Sequence, residues 1–372
     1  MTRTTRPPEP SPLAKRSLAV ALIAAACLAP QIASASCGNV TTKMREILGT
    51  HGQYTADTLV LAHRGLWGKY AGIPTLPENS RGALYQADLK CMDGVELDVK
   101  VTKDGVPILM HDFNIGRTTT AYMVLGGAKY NPINNQGQNP AVSTLPWSTI
   151  ARLLLLTPDR SVDTGYHPPR VDELFDYWKK EGMTVPMVFD TKTADAVGAI
   201  DYIANQKFAN ARDVVAVKVN ATLFPMPTAF IARAPHIDAI PVFTTNMLSK
   251  IDVPASRAAW QNWANTLEIN VKQDGGLLQG QMDAAKKANN RIGVFHAIPD
   301  GPLSGQFYQN TGQCCYKLSS LYFSYPGGRD TADNRGDLGY LMYQDFGLIT
   351  TDDPLGVTRR LGQNGKRFSH VH

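Results

Sequence analysis

Nine short apolar runs recur along this 372-residue chain with amphipathic segments between them, and that rhythm restricts the possible folds more than any other feature. The runs are TLVLA (58–62), VELDV (95–99), VPILM (106–110), VPMVF (185–189), VVAVKV (214–219), AIPVF (239–243), LEINV (267–271), IGVFHA (292–297) and GLITT (347–351). Between most of them lie segments of helical character, such as SRGALYQADLK, DELFDYWKK, ADAVGAIDYIANQKF and QGQMDAAKKANN. Apolar runs of this length read as strands buried on both faces, and their alternation with helices predicts a parallel sheet with helical crossovers. An α/β barrel needs eight such strands, so one run is surplus, and LEINV is the one expected to lie outside the sheet. The length suits a single large barrel domain.

Two stretches interrupt the rhythm. Residues 113–170 and 300–345 are rich in Gly, Asn, Pro and Tyr and keep no sustained period, which reads as functional loops or small inserted lobes. The first 35 residues read as a signal peptide: a basic, proline-rich start, the apolar segment SLAVALIAAACLAP, and ASA at 33–35 for cleavage after Ala35. That run is too short to span a bilayer, so no transmembrane span is expected. Residues 36–57 form a lead-in and 58–372 the single domain. Cleavage removes four cations and Glu9, leaving a formal charge of +2 in place of +5, which gives no footing for nucleic acid or a polybasic membrane contact. An exported chain, periplasmic or secreted, then keeps Cys37, Cys91, Cys314 and Cys315. Four cysteines permit two disulfides in three connectivities, or leave Cys91 as a buried thiol.

The chemistry lies at the strand ends. Glu96 and Asp98 stand two apart within VELDV, so a strand turns both carboxylates to one face, and a bound cation is the obvious remedy for their repulsion. TLVLA runs into His63-Arg64-Gly65, VPILM into His111-Asp112, VPMVF into Asp190-Thr191-Lys192, and GLITT into Asp352. In an α/β barrel these carboxyl ends are where active sites are built. Oxygen ligands from Glu96, Asp98 and Asp190 suit one divalent cation, Ca²⁺ or Mg²⁺. Arg64 offers a planar fork to phosphate and Lys192 a point charge. His63 and His111 can act as acid and as base or nucleophile, each contributing about 10²–10⁴-fold when well placed. The set describes cleavage of a phosphodiester.

AHRG at 62–65, PENS at 77–80, VELDVKVTKDGVPILMHD at 95–112, Arg117-Thr118-Thr119 and LITTDDP at 348–354 resemble the glycerophosphodiester phosphodiesterase family. The resemblance runs from about Thr58 to Pro354. It implies a TIM (β/α)8 barrel with an insert after strand 3, at about 113–170, and a long loop before the last strand. It implies a divalent metal on Glu96, Asp98 and Asp190, His63 and His111 as the catalytic pair, and Glu78 as a supporting residue. The substrate would be a small or lipid-derived phosphodiester, hydrolysed to glycerol phosphate and an alcohol. Asp190, in FDTKT, stands where the family commonly has glutamate and in this resembles the related phospholipase D toxins, and Phe295-His296-Ala297-Ile298 stands where the family has Trp-Thr-Val-Asn. These departures keep phospholipase D-like cleavage of (lyso)phospholipids as the alternative, and a non-catalytic exported phosphate-ester binding protein as the reading of another class.

Other residues have plainer readings. Ser80 is expected to cap the helix that follows it. Asp112 reads as support or a turn former, His296 as a core or rim histidine, and Trp147, Trp178, Trp260 and Trp263 as packing residues. The aromatics between Asp300 and Asp345, Phe307, Tyr308, Tyr316, Tyr322, Phe323, Tyr325, Tyr340 and Tyr343, suit a wall over the barrel mouth braced by Cys314-Cys315.

Overall fold

Among the described residues, eight parallel strands close on themselves in the computed structural model, so the barrel is complete and has no open edge. The structure describes Met1 and residues 37–321, 324–325 and 328–368. Apart from Met1, the leader read over 1–35, with Cys27, lies outside the described residues, as do Tyr322 and Phe323.

In chain order the strands are β1 (Leu59–His63), β2 (Gly94–Val101), β3 (Pro107–Leu109), β4 (Met187–Thr191), β5 (Val215–Asn220), β6 (Asp238–Phe243), β7 (Thr266–Ile269) and β8 (Arg291–Phe295). Short strands β9 (Phe307–Tyr308), β10 (Cys314–Tyr316), β11 (Ser324–Tyr325) and β12 (Gly328–Arg329) precede the last barrel strand, β13 (Leu348–Thr351). The helices are α1 (Val40–Leu48), α2 (Arg81–Leu89), α3 (Ala121–Leu125), α4 (Trp147–Ile150), α5 (Val171–Lys180) and α6 (Ala194–Lys207). They continue with α7 (Pro227–Arg233), α8 (Val253–Gln261), α9 (Gln279–Lys287), α10 (Leu338–Tyr343) and α11 (Pro354–Gln363). The barrel order is β1, β13, β8, β7, β6, β5, β4, β2, with β2 returning to β1.

The surplus run is VPILM, not LEINV. LEINV supplies β7, paired in parallel with β6 and β8. VPILM supplies β3, which runs antiparallel to β2. The reason is chain length: Thr102–Val106 is a tight turn with Gly105 at φ +83°, and a parallel return needs a crossover of a dozen or more residues. β4 occupies one edge of β2 along Val95–Val99. β3 therefore takes the other edge at Val99–Val101, just past the pairing of β1 with Gly94–Glu96. His111 is brought over the end of β1 by a hairpin, and no barrel strand delivers it.

The barrel interior is layered. Leu59 and Leu61 of β1, Val188, Ala216, Ile240 and Leu348 fill its base, where Met44 and Ile47 of α1 close it from below. Each of these buried side chains other than Ala216 contributes about 1.5–3 kcal/mol. One inward position further along the same strands come His63, Asp190, Lys218 and Thr350, beside Glu96 and Asp98 of β2. Outward residues such as Leu97, Phe189 and Val217 pack beneath the helices. Ser80 caps α2 by accepting from Ala83 N at 3.0 Å, as the sequence suggests. Trp178 and Trp260 are buried packing residues, and no helix of the described residues is long and apolar enough to cross a membrane.

Two disulfides resolve the open connectivity: Cys37 with Cys91, and Cys314 with its neighbour Cys315. The first ties the segment before α1 to the turn after α2 across a separation of 54 residues. Cys91 is therefore no free thiol. Replacing Cys37 and Cys91 together by serine is expected to lower the unfolding free energy by about 2–4 kcal/mol in urea titrations. A loss under about 1 kcal/mol would mean that α1 is held by packing alone.

Candidate active site

Strand β1 ends on His63, and the chain then turns sharply through Arg64 (φ +58°) and Gly65 (φ +82°). A side chain at Gly65 would put its Cβ 2.8 Å from that of Ala83, so only glycine lets the turn sit against α2. The turn aims Arg64 into the barrel mouth. His63 is buried, its Nδ1 2.8 Å from Asp352 Oδ1 beyond β13, and its carbonyl accepts from Trp67 Nε1 at 3.0 Å. Burial disfavours the charged ring, but Asp352 more than compensates and raises its pKa.

Glu96 and Asp98 are 2 % and 1 % exposed, and Asp190 lies in register with Asp98 on the neighbouring strand. Ligand atoms of His63, Glu96 and Asp98 lie within 4.8 Å of one another. Two carboxylates at that separation repel by about 3 kcal/mol at an effective dielectric of about 20. Burial first, and the Asp98 charge second, push Glu96 upward. Asp98 goes the other way: burial opposes ionisation, but His111, Lys100 and Arg64 hold its pKa down. Asn79, held at φ +50°, gives Asp98 a hydrogen bond from Nδ2 at 3.0 Å and receives one from its backbone N–H. The carboxylate of Asp190 takes the ammonium of Lys192. The buried group of His63, Glu96 and Asp98 can hold a metal ion, and its carboxylate oxygens suit a hard one.

On the hairpin side, His111 Nδ1 lies 2.7 Å from Asp112 Oδ1. Burial first, then the Arg64 charge, lower the pKa of His111 well below its usual value. Arg64 itself reaches Glu78 Oε2 at 2.9 Å and Asp300 Oδ2 at 3.2 Å through Nη1. Its Nε has no hydrogen-bond partner among the described residues and sits 3.7 Å from Asp98 Oδ2. That leaves donors free to meet an anion in the mouth.

The opposite wall is polar but internally paired. Lys218 Nζ lies 2.6 Å from Glu268 Oε2 and donates to Thr350 Oγ1 at 2.6 Å. Asn270 links Glu268 to Arg335, and Arg335 is held by Asp333 at 2.9 and 2.7 Å. Above lie Phe295, 4.8 Å from the His63 ring centroid, and the stacked pair Phe307 and Tyr316 at 5.5 Å. These walls enclose a cavity of about 310 Å³.

Of the residues selected from sequence, His63, Arg64, Glu96, Asp98, His111, Asp190 and Lys192 all line this one cavity. Glu78 stands behind it, between Arg64 and Arg117. His296 is buried outside this cavity, its Nδ1 2.9 Å from Thr351 Oγ1, in keeping with the core or rim reading. Phe307, Tyr308 and Tyr316 reach the cavity. The strand-end reading omits Lys218 and Glu268, although each is a charge inside an apolar run, the same signal that singles out Glu96 and Asp98. Asp300 and Arg335 come from an irregular loop and carry no local signal.

Residues 63–228 match the model of the glycerophosphoryl diester phosphodiesterase family. Glycerophosphodiester phosphodiesterase 1 of Rattus norvegicus is 48% identical over 59 residues, which is 16% of this chain and 16% of that protein. The match thus spans about a sixth of that relative's length. A glycerophosphoryl diester phosphodiesterase from Parabacteroides distasonis superposes with a TM-score of 0.55 at 18% identity, covering 89% of this chain and 97% of that one. A phosphodiesterase from Oleispira antarctica, solved with its product sn-glycerol-3-phosphate, gives 0.54 at 17% identity, covering 83% and 98%. These two likenesses establish the shared barrel. The stretch that matches this family's model carries His63, Arg64, Glu96, Asp98, His111, Asp190 and Lys192 of the cavity, so over residues 63–228 the chain is similar to the glycerophosphoryl diester phosphodiesterase family.

Proposed function

We propose that this protein is a metal-dependent phosphodiesterase that hydrolyses glycerophosphodiesters to glycerol phosphate and an alcohol. One observation carries the reading. Two imidazoles, His63 and His111, flank a buried carboxylate cluster, and each has its Nδ1 engaged by an aspartate, leaving Nε2 for proton transfer. A site that only bound a phosphate ester would need the cations and carboxylates but no such pair.

Glu96, Asp98 and Asp190 would hold the ion, Ca²⁺ or Mg²⁺, which when bound neutralises their charge and polarises a phosphoryl oxygen. Arg64 grips the phosphate through donors left over from its bonds to Glu78 and Asp300, and Lys192 adds charge from the Asp190 side. One imidazole removes a proton from the attacking water, whose oxygen stays on the glycerol phosphate, and the other delivers one to the departing alkoxide oxygen, which leaves as the alcohol. The stacked Phe307 and Tyr316 shield the alcohol end of the substrate from water. The match of residues 63–228 to the family model and the product found in the Oleispira antarctica protein support the small-diester reading.

Hydrolysis of glycerophosphocholine is expected to vanish with EDTA and return with Ca²⁺ or Mg²⁺. Activity that persists in chelator would sink the metal assignment. His63→Ala and His111→Ala should each lower kcat by about 10²-fold or more in a folded protein. A change confined to KM would remove that residue from the acid and base roles. Lysophosphatidylcholine cleaved faster than glycerophosphocholine by the wild type would favour the phospholipase D-like alternative.

We also propose that the chain is exported, to the periplasm or beyond, with cleavage after Ala35. Two disulfides in a chain whose first residues read as a leader support this. Intact mass of the protein from its native host should begin at Ser36 with no alkylatable thiol. A retained N-terminus would refute it.

A further inference from the structure

Arg117 lies in the insert beyond His111, is 5 % exposed, and is not itself among the residues that line the cavity. Its guanidinium nonetheless bridges two carboxylates. Nε donates to Asp112 Oδ2 at 2.6 Å, and Nη2 to Asp112 Oδ1 at 3.1 Å and to Glu78 Oε1 at 2.7 Å. Its face lies over the Tyr308 ring, 4.7 Å from the centroid. Arg160 Nε fixes the backbone by donating to the Arg117 carbonyl at 3.1 Å.

The two carboxylates it joins have other business. Asp112, fully buried, is the group that holds His111 by Nδ1 at 2.7 Å. Glu78 spends its second oxygen on Arg64 Nη1 at 2.9 Å. The Arg117 and Arg64 charges overcome burial and keep Glu78 ionised, with its pKa pulled down to about 2. A continuous path of charge-assisted bonds thus runs from Arg64 through Glu78, Arg117 and Asp112 to His111. We propose that Arg117 is a positioning residue that fixes the phosphate-gripping Arg64 and the proton-transferring His111 relative to one another through Glu78 and Asp112.

The geometry explains why arginine is needed. Two carboxylates on different sides of one side chain require a planar fork with several donors, which a lysine's single ammonium cannot span. Without the fork, Asp112 and Glu78 become under-compensated buried anions, and each is then free to pull its own partner, His111 or Arg64, out of place. Tyr308 seats the fork from above, so the loop that bears Tyr308 also feels its presence.

The inference rests on the phosphodiesterase reading, and a test on the metal-loaded protein separates the two. Wild-type turnover of glycerophosphocholine tests the reading itself. Arg117→Ala is expected to lower kcat by about 10²-fold while the protein stays folded, and free guanidinium should restore at least about tenfold of that in a saturable manner. Arg117→Lys should recover little. Because both act through one path, Asp112→Ala combined with Arg117→Ala should be no slower than the slower single variant, within about threefold. Effects that multiply would overturn the proposal, as would a kcat for either Arg117 variant within threefold of wild type. If Arg117→Ala does not fold, Arg117→Lys carries the cycle. Independently of activity, the Nδ1 proton of His111 should be a protected NMR signal in wild type and be lost in the Arg117 variant. Its persistence there would overturn the positioning role even in an active enzyme.

Discussion

Glu96 and Asp98 sit inside a closed barrel on one strand face, and the architecture around the mouth follows from what it takes to keep them there. Asp190, Glu268, Glu78 and Asp112 each have a lysine or arginine at hydrogen-bond distance. Among the described residues, Glu96 and Asp98 do not. Glu96 receives the Arg64 backbone N–H at 3.2 Å, and Asp98 the Asn79 amide at 3.0 Å. Uncharged donors of this kind leave negative charge in place while satisfying lone pairs. A fold that wanted only stability would have neutralised or removed these acids, since a buried pair is seldom better than apolar packing. Their retention against that cost marks a functional site, and their oxygens, with His63, could hold a cation.

The rest of the mouth is arranged so that this unbalanced charge stays on one side. Below it, the apolar base of Leu61, Val188, Ala216, Ile240 and Leu348 excludes water. Across from it, Lys218 with Glu268 and Arg335 with Asp333 are ion pairs that present donors and acceptors without net charge. Above it, the two irregular segments brace one another. Phe113 N–H donates to the Asn310 carbonyl at 2.7 Å, Asn139 Nδ2 to the Thr311 carbonyl at 3.0 Å, and Cys314 N–H to the Pro132 carbonyl at 2.9 Å. Insert and final loop therefore form one roof although nearly 200 residues separate them in sequence. Tyr308 and Asp300 are held in that roof, and through them it touches Arg117 and Arg64.

Legibility in the sequence tracked how local the physics was. Strand ends could be read because apolar runs stop where ionisable residues start, and His63, Glu96, Asp98, Asp190 and Lys192 follow that rule. VPILM was misplaced because an apolar run carries no record of direction, while the short Lys103-Asp104-Gly105 turn beside it did carry one. Lys218 was hidden differently: a lysine within VVAVKV reads as a lapse in a strand until its partner Glu268, on another run, is known. Asp300 lies 236 residues from the arginine it meets, and no local pattern marks such a contact. The disulfide pairing was likewise undecidable from spacing alone.

The two histidines stand in unequal surroundings, and the inequality comes from how each is delivered. His63 is the last residue of a barrel strand and has the fully inward Asp352 beside it, with Glu96 Oε2 3.9 Å from its other nitrogen. Anions on both sides favour its protonated form over the penalty of burial. His111 arrives on a hairpin among arginines. Its aspartate is already shared with Arg117, and Arg64 faces it from the other side, so burial prevails and the neutral ring is favoured. A pair of imidazoles separated in this way by environment is what acid and base roles require of two chemically identical groups. The hairpin that displaced VPILM from the barrel is thus also the device that makes the second histidine different from the first.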